Sequence, residues 1–191
     1  ADDGLVHCRT EQEALHILAV LKERFEACRL ELHPTKTKIV YCKDGRRKGQ
    51  YPQTKFDFLG YTFRRRVVKN KKRNTLFLSF NPAVSNSASK SMRAETRKQR
   101  IRNRTELELR DIAKMYNPVL RGWIQYYGRY NSSALDPVLG HFNLTLLAWA
   151  MHKYRNLKGH KRRAANFLQE IAVKEPGLFP HWKKGKVLRF A

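Results

Sequence analysis

Acidic residues are scarce in this chain. Asp and Glu number 16 against 40 Lys and Arg, which leaves a formal charge of +24 over 191 residues. Self-repulsion on that scale opposes compaction unless a polyanion relieves it, so nucleic acid is the leading partner class and an anionic membrane surface the runner-up. A long apolar run is also missing, which excludes a membrane-spanning helix. The first residues carry no secretory signal pattern, although a truncated chain would have lost one. Cysteine is sparse: Cys8, Cys28 and Cys42 are odd in number, fit no zinc spacing and suit reduced thiols in an intracellular protein. Hydrophobic residues are not lacking; at 41% they suffice for a core and exclude general disorder. The length suits one ordinary domain or two small ones.

The chain opens on Ala1-Asp2-Asp3-Gly4-Leu5-Val6. Two carboxylates ahead of an apolar run are either a solvated terminus or the end of a catalytic turn in a longer protein, and the next sixty residues favour the second. Gly4 to Cys8 reads as a short strand. Thr10 and Glu13 form a capping-box pattern, and Ala14, Leu18, Leu21, Phe25 and Cys28 recur at helical spacing, which predicts a helix over 11–29. Residues 30–34 leave that helix, since Pro34 cannot continue it, and residues 37–41 read as a strand. Residues 56–63 alternate aromatic and polar side chains around Gly60, a strand with a bulge or close backbone approach at the glycine. A charged turn over 69–74 and a returning strand over 75–80 complete a hairpin with a basic tip.

Strand signals stop at Asn81-Pro82, which sets a boundary between a mixed α/β part (1–81) and an all-α part (82–191). Residues 92–103 are so uniformly polar and basic that the pattern offers no core-facing stripe; the segment is a basic linker or a helix lying on nucleic acid. A second capping box at Thr105–Glu108 starts a short helix. Asn117-Pro118 and Asp136-Pro137 each restart one, and residues 160–174 form the last. Phe179 and Trp182 mark an aromatic cluster in the basic tail.

Three segments in order resemble the reverse transcriptases encoded by group II introns. Ala1-Asp2-Asp3 is similar to the end of the aromatic-Ala-Asp-Asp turn. Residues 30–38, Leu-Glu-Leu-His-Pro-Thr-Lys-Thr-Lys, are similar to the Lys-Thr segment after the palm helix, and Phe58-Leu59-Gly60-Tyr61 to the Phe-Leu-Gly-aromatic motif of the primer-grip hairpin. Arg121 to Tyr130 resembles the core of the maturase region, also called domain X or thumb. Trp149 to Tyr154 and His160 to Ala164 resemble its later basic helix. The chain shows no paired cysteines or His-Asn-His pattern of a homing endonuclease.

The resemblance implies an α+β chain: the end of a polymerase palm, with a helix, antiparallel strands and a hairpin, followed by an all-α thumb or maturase region. It implies an RNA-directed DNA polymerase and intron maturase that binds group II intron RNA, promotes its splicing and copies RNA into DNA. Two Mg²⁺ ions would serve the phosphoryl transfer, with Asp2 and Asp3 as ligands on one side of the site. The other acidic strand would lie before Ala1, so residues 1–191 alone are expected to hold Mg²⁺ poorly and to catalyse nothing. Lys36 would face the triphosphate as a catalytic cation. The RNA and primer contacts would be Gly60, Arg64, Arg65, Arg121, Arg129, Lys161, Arg162 and Arg163. Trp123 and Tyr127 read as core, and His141 and His152 as structural. Implied partners are intron RNA, an RNA template with DNA primer, and deoxynucleoside triphosphates, with no membrane and the oligomeric state open. The implied location is intracellular, in a bacterial cytoplasm or an organelle. Two other readings stand beside this one: a non-catalytic RNA-binding splicing factor from a degenerate polymerase, and a generic basic RNA-binding protein.

Overall fold

Thr10 starts the first helix as the pattern requires. Its hydroxyl accepts from the Glu13 N–H at 3.1 Å, while the Glu13 carboxylate accepts from the Arg9 N–H at 2.7 Å, one residue before the N-cap. In this computed structural model, which describes residues 3–70 and 72–185, α1 spans Glu11–Ala27. It stops two residues short of the expected end because Arg29 turns left-handed (φ 56°). The Leu30 N–H then bonds back to the Phe25 carbonyl and the Arg29 N–H to that of Glu26, closing the helix with an arginine where glycine is usual.

The strands expected over 4–8 and 37–41 do not form. A strand needs a ladder, and residues 37–41 find one rung, Tyr41 N–H to the Gln53 carbonyl at 2.8 Å. The sheet is β1 (Lys55–Phe58), β2 (Tyr61–Asn70) and β3 (Thr75–Val84), in that order. The continuous strand expected across Gly60 is instead two strands joined by a reversal. Leu59 (φ 48°) and Gly60 (φ 77°) are both left-handed, as in the two-residue turns that match the twist of a hairpin. At the other tip, the Asn70 side chain accepts from the Lys72 and Arg73 N–H groups. β3 runs past Asn81 through Pro82, which an edge strand tolerates because its N–H can face away from the ladder.

Two units divide the chain. One comprises residues 1–58 and 63–81; the other comprises 59–62 and 82–191. In the first, Phe56 and Phe63 stack at 4.8 Å with Phe80 beside Phe56, but α1 buries no residue and Leu15, Val20, Val67 and Leu76 are exposed. Every buried residue of the described chain belongs to the second unit.

The second unit is helical: α2 (Asn86–Lys98), α3 (Leu109–Tyr127), α4 (Asp136–Lys153) and α5 (Lys161–Lys174), with 3₁₀ turns between. The mixed α+β class holds for the chain as a whole. The basic segment after Ser85 is a helix with a core face, contrary to the expectation of none: Met92 and Thr96 are buried, and the Tyr116 hydroxyl donates to Thr96 at 3.1 Å. Two apolar contacts at i and i+4 suffice when the helix has a larger neighbour to lean on. α3 is also unbroken where two helices were expected. Pro118 removes the bond to the Lys114 carbonyl, a cost of about 3 kcal/mol in a helix interior. Yet Leu109, Ile112, Ala113, Tyr116 and Leu120 form a buried stripe on both sides of it, and each large apolar side chain so buried contributes about 1.5–3 kcal/mol. The start also shifts from Thr105 to Leu109. The Thr105 and Leu107 carbonyls are taken by the Lys153 ammonium, which also pairs with Glu108, and Glu108 caps α3.

α4 is the central element. Val138, Leu139, Phe142, Asn143, Leu146, Leu147, Trp149 and Ala150 are buried on it. Phe142 lies 4.8 Å from Tyr116 and 5.5 Å from Phe179. After α5, Phe179, His181 and Trp182 close over α4; the His181 ring meets the Asn143 side-chain oxygen at 2.7 Å, and the Trp182 indole N–H donates to the same oxygen at 3.2 Å.

Candidate nucleic-acid interface

The acidic turn comes first. Asp2 lies outside the described residues, and Asp3 is exposed. No three His, Cys, Asp or Glu side chains gather into a metal-holding group among the described residues. Those residues therefore do not make a Mg²⁺ site by themselves. Lys36 is exposed too, but it sits in a turn over 34–36 and not at a strand end.

Gly60 is brought against protein. A Cβ there would fall 2.6 Å from the Tyr127 hydroxyl, and its positive φ already disfavours any side chain. Around it the rings of Tyr126, Tyr127 and Tyr130 lie 5.2–5.6 Å from that of Tyr61. The Tyr126 hydroxyl donates to the Leu59 carbonyl at 3.0 Å, the Tyr61 hydroxyl donates to the Tyr126 carbonyl, and the Ser85 N–H reaches the Gly60 carbonyl at 2.9 Å. Burial and the neighbouring tyrosines push the Tyr61 phenol above its ordinary pKa, which keeps it a donor. The glycine thus permits a tyrosine clasp. Gly60→Ala should destabilise the second unit by about 1–3 kcal/mol, from backbone strain and displacement of Tyr127; a urea midpoint unchanged from wild type would show the clasp to be slack.

Arg64 and Arg65 are both exposed on β2. As consecutive strand residues they point to opposite faces, so they do not grip one phosphate together. Arg121 is exposed on α3 and lines a shallow groove of about 420 Å³ with Arg110, Lys114 and Asn117, facing Glu175 and Leu178. Arg110 is held by Glu175 at 2.8 Å, which leaves Lys114 and Arg121 as the groove's other cations. The Arg129 guanidinium sits 5.8 Å from the ring of Tyr130, itself 60% exposed, so a cation and an open aromatic face lie side by side. Trp123 and Tyr127, expected in the core, are partly buried against it.

Lys161, Arg162 and Arg163 are exposed and occupy the first turn of α5. The N-cap, His160, makes no side-chain capping bond. Three cations thus sit on the positive end of a 14-residue helix dipole, an arrangement unfavourable to the fold and favourable to an anion.

The pattern of residues hid one cluster. Arg93 and Arg97 of α2 lie against the ring of His141 on α4, and burial first, then the Arg97 and Arg93 charges, hold that imidazole below its ordinary pKa. Arg102 similarly donates to the His152 ring at 3.1 Å. The only signal in the sequence was the i, i+4 spacing of the two arginines.

Residues 1–63 match the reverse transcriptase (RNA-dependent DNA polymerase) family, and residues 89–167 match the group II intron maturase-specific domain. The chain belongs to the group II intron-encoded reverse transcriptases and maturases. No curated protein and no solved structure matches it. The maturase-specific match takes in nearly all of α2, all of α3 and α4 and the first turns of α5, and so Arg93, Arg97, Arg121, Arg129, His141 and Lys161 to Arg163. The reverse-transcriptase match takes in Asp3, Lys36 and Gly60 and ends before Arg64 and Arg65.

Proposed function

We propose that this chain grips group II intron RNA through its helical unit and, within a complete reverse transcriptase, helps both to splice that RNA and to copy RNA into DNA. In this reading residues 1–81 are the end of the palm and residues 82–191 the thumb, or domain X. Asp2 and Asp3 are the residues offered to Mg²⁺, Lys36 the cation for the triphosphate, and the Leu59-Gly60 hairpin the primer side. Further carboxylates are needed for primer extension, so residues 1–191 should bind RNA without extending a primer. The location is inside the cell with the intron RNA, in a bacterial cytoplasm or an organelle.

The observation that carries the RNA-binding part is the first turn of α5. Lys161, Arg162 and Arg163 add their charges to the helix N-terminus, with no capping side chain from His160. A phosphate relieves that repulsion and accepts from both guanidinium forks and backbone N–H groups. Arg121 in its groove and Arg129 beside the open Tyr130 ring offer contacts of the same kind, the second suited to an unpaired base stacked on the tyrosine.

Replacing Arg121, Arg129, Arg162 and Arg163 together with Gln should weaken binding to a group II intron RNA by about 100-fold or more at fixed salt. It should also make the salt dependence shallower by about three log units per log unit of salt. Filter binding of the 191-residue chain and its variant to the intron RNA and to a length-matched unstructured RNA reads both. Unchanged intron affinity in the variant would reject these residues as the grip; equal affinity for the two RNAs would reduce the chain to a generic basic RNA binder.

A further inference from the structure

α2 carries its cations on one side. Lys90, Arg93 and Arg97 recur at i, i+3 and i+7 and share a stripe, while Glu95 lies on the other flank, where Gln99 donates to its carboxylate at 2.9 Å. The stripe borders α4 at His141. Neither arginine is in a salt bridge among the described residues, where the pairs are Arg110–Glu175 and Lys153–Glu108. The His141 ring lies between helix and stripe. It is hydrogen-bonded to the Arg93 backbone, and its Nε2 is buried with no hydrogen-bond partner. The charged groups set against the ring are Arg97 and Arg93 of α2; among the described residues none acts on it from α4 itself, from α5 or from the 3₁₀ turns.

This geometry has a direct chemical meaning. Two unpaired guanidinium groups one helical turn apart suit the oxygens of one phosphate diester. Beneath them is a titratable ring held neutral in part by their charge. We propose that Arg93, Arg97 and His141 form a phosphate site for an RNA backbone, and that filling it is coupled to the uptake of one proton by His141. The proposal rests on the RNA-binding reading above and adds to it a site and a control by pH.

The coupling follows from electrostatics. With the site empty, burial and two positive neighbours oppose a third positive charge on the ring. A phosphate cancels the field of the arginines, and the imidazolium then faces an anion instead of two cations. Protons therefore bind more tightly to the complex than to the free protein, and by linkage RNA binds more tightly as pH falls. The sign is fixed by the free-state shift: His141 titrates below its ordinary value when the site is empty. The gain in affinity accordingly develops as pH drops through the ordinary histidine range and levels off below the free-state value.

The test uses the 191-residue chain and a mixed-sequence RNA hairpin, with affinity measured from about pH 7.5 to about pH 5.5 at constant salt. Wild type should tighten by up to about tenfold per pH unit over part of that range, relative to His141→Gln. His141→Gln should match wild-type affinity at the upper end, because its arginines remain. An Arg93→Gln, Arg97→Gln double variant should bind more weakly and lose the same pH dependence. A second measurement follows the His141 Cε1 proton by NMR; its titration midpoint should rise when inorganic phosphate is added. Wild-type pH dependence retained in His141→Gln, or a midpoint that phosphate leaves in place, overturns the coupled site while RNA binding stands. Absence of hairpin binding at every pH overturns the RNA-binding reading itself.

Discussion

Raising the salt concentration from about 50 mM to about 200 mM should weaken binding of structured RNA to this chain by about 10³-fold or more, the loss expected when six to ten phosphates are neutralised. The chain has the cations for it and few internal acids to occupy them. Among the described residues two salt bridges form, and both partners of Arg110–Glu175 remain substantially exposed. The exposed cations are distributed over α2, α3 and the start of α5, so contacts are made along a strand and not at one point. Each contact releases condensed counterions, and the slope of log affinity against log salt counts them at about 0.7–0.9 apiece. The four-fold Gln variant should lower that count. An affinity flat across this range would remove the electrostatic basis of the proposed function.

The second large effect concerns the core. Phe142→Ala should destabilise the helical unit by about 3–5 kcal/mol, the usual cost of emptying an aromatic site in a packed interior. Phe142 is fully buried and touches rings from three other positions: Tyr116 on α3, and Phe179 and His181 beyond α5. No one neighbour can collapse into the space. All three tryptophans, Trp123, Trp149 and Trp182, lie in this unit, so tryptophan emission in urea reports on it selectively. Leu144→Ala on the same helix, at a site 46% exposed, should shift the transition by no more than about 0.5 kcal/mol. Equal shifts for the two variants would mean that α4 is not the centre of this core.

Local chemistry was legible where it acted alone. Thr10 and Glu13 announce α1, Asp136-Pro137 announces α4, and the alternation of residues 75–80 announces β3, because caps and periodicity need no distant partner. Tertiary context decided the rest. Residues 37–41 have strand composition, but a strand exists only with a neighbour, and composition does not name one. Gly60 reads equally as a bulge or a turn; the positive φ of Leu59 beside it, which a leucine rarely adopts, makes it a turn. Pro118 is an ordinary restart signal, overruled by a stripe that buries both halves of α3. The candidate site divides the same way. The cations at residues 121, 129 and 161–163 stand out by charge and by the family resemblance. The meeting of Arg93 and Arg97 with His141 joins two helices more than forty residues apart in sequence, and no pattern within either helix points to the other.

The closure of the core by Phe179, His181 and Trp182 has a consequence for the order of events during synthesis. A ribosome delivers α3 and α4 first, with Phe142 and Asn143 uncovered. The side chains that fill the space beside them arrive about 35 residues later. Chain elongation at roughly 5–20 residues per second makes that interval last about two to seven seconds, far longer than helices take to form. For those seconds the nascent protein carries formed helices, an open apolar seam and a dense array of positive charge. RNA close to the ribosome would meet the cations before the seam has closed. The last turn of the described chain is therefore a timing element: its release from the ribosome is the moment at which the helical unit can lock.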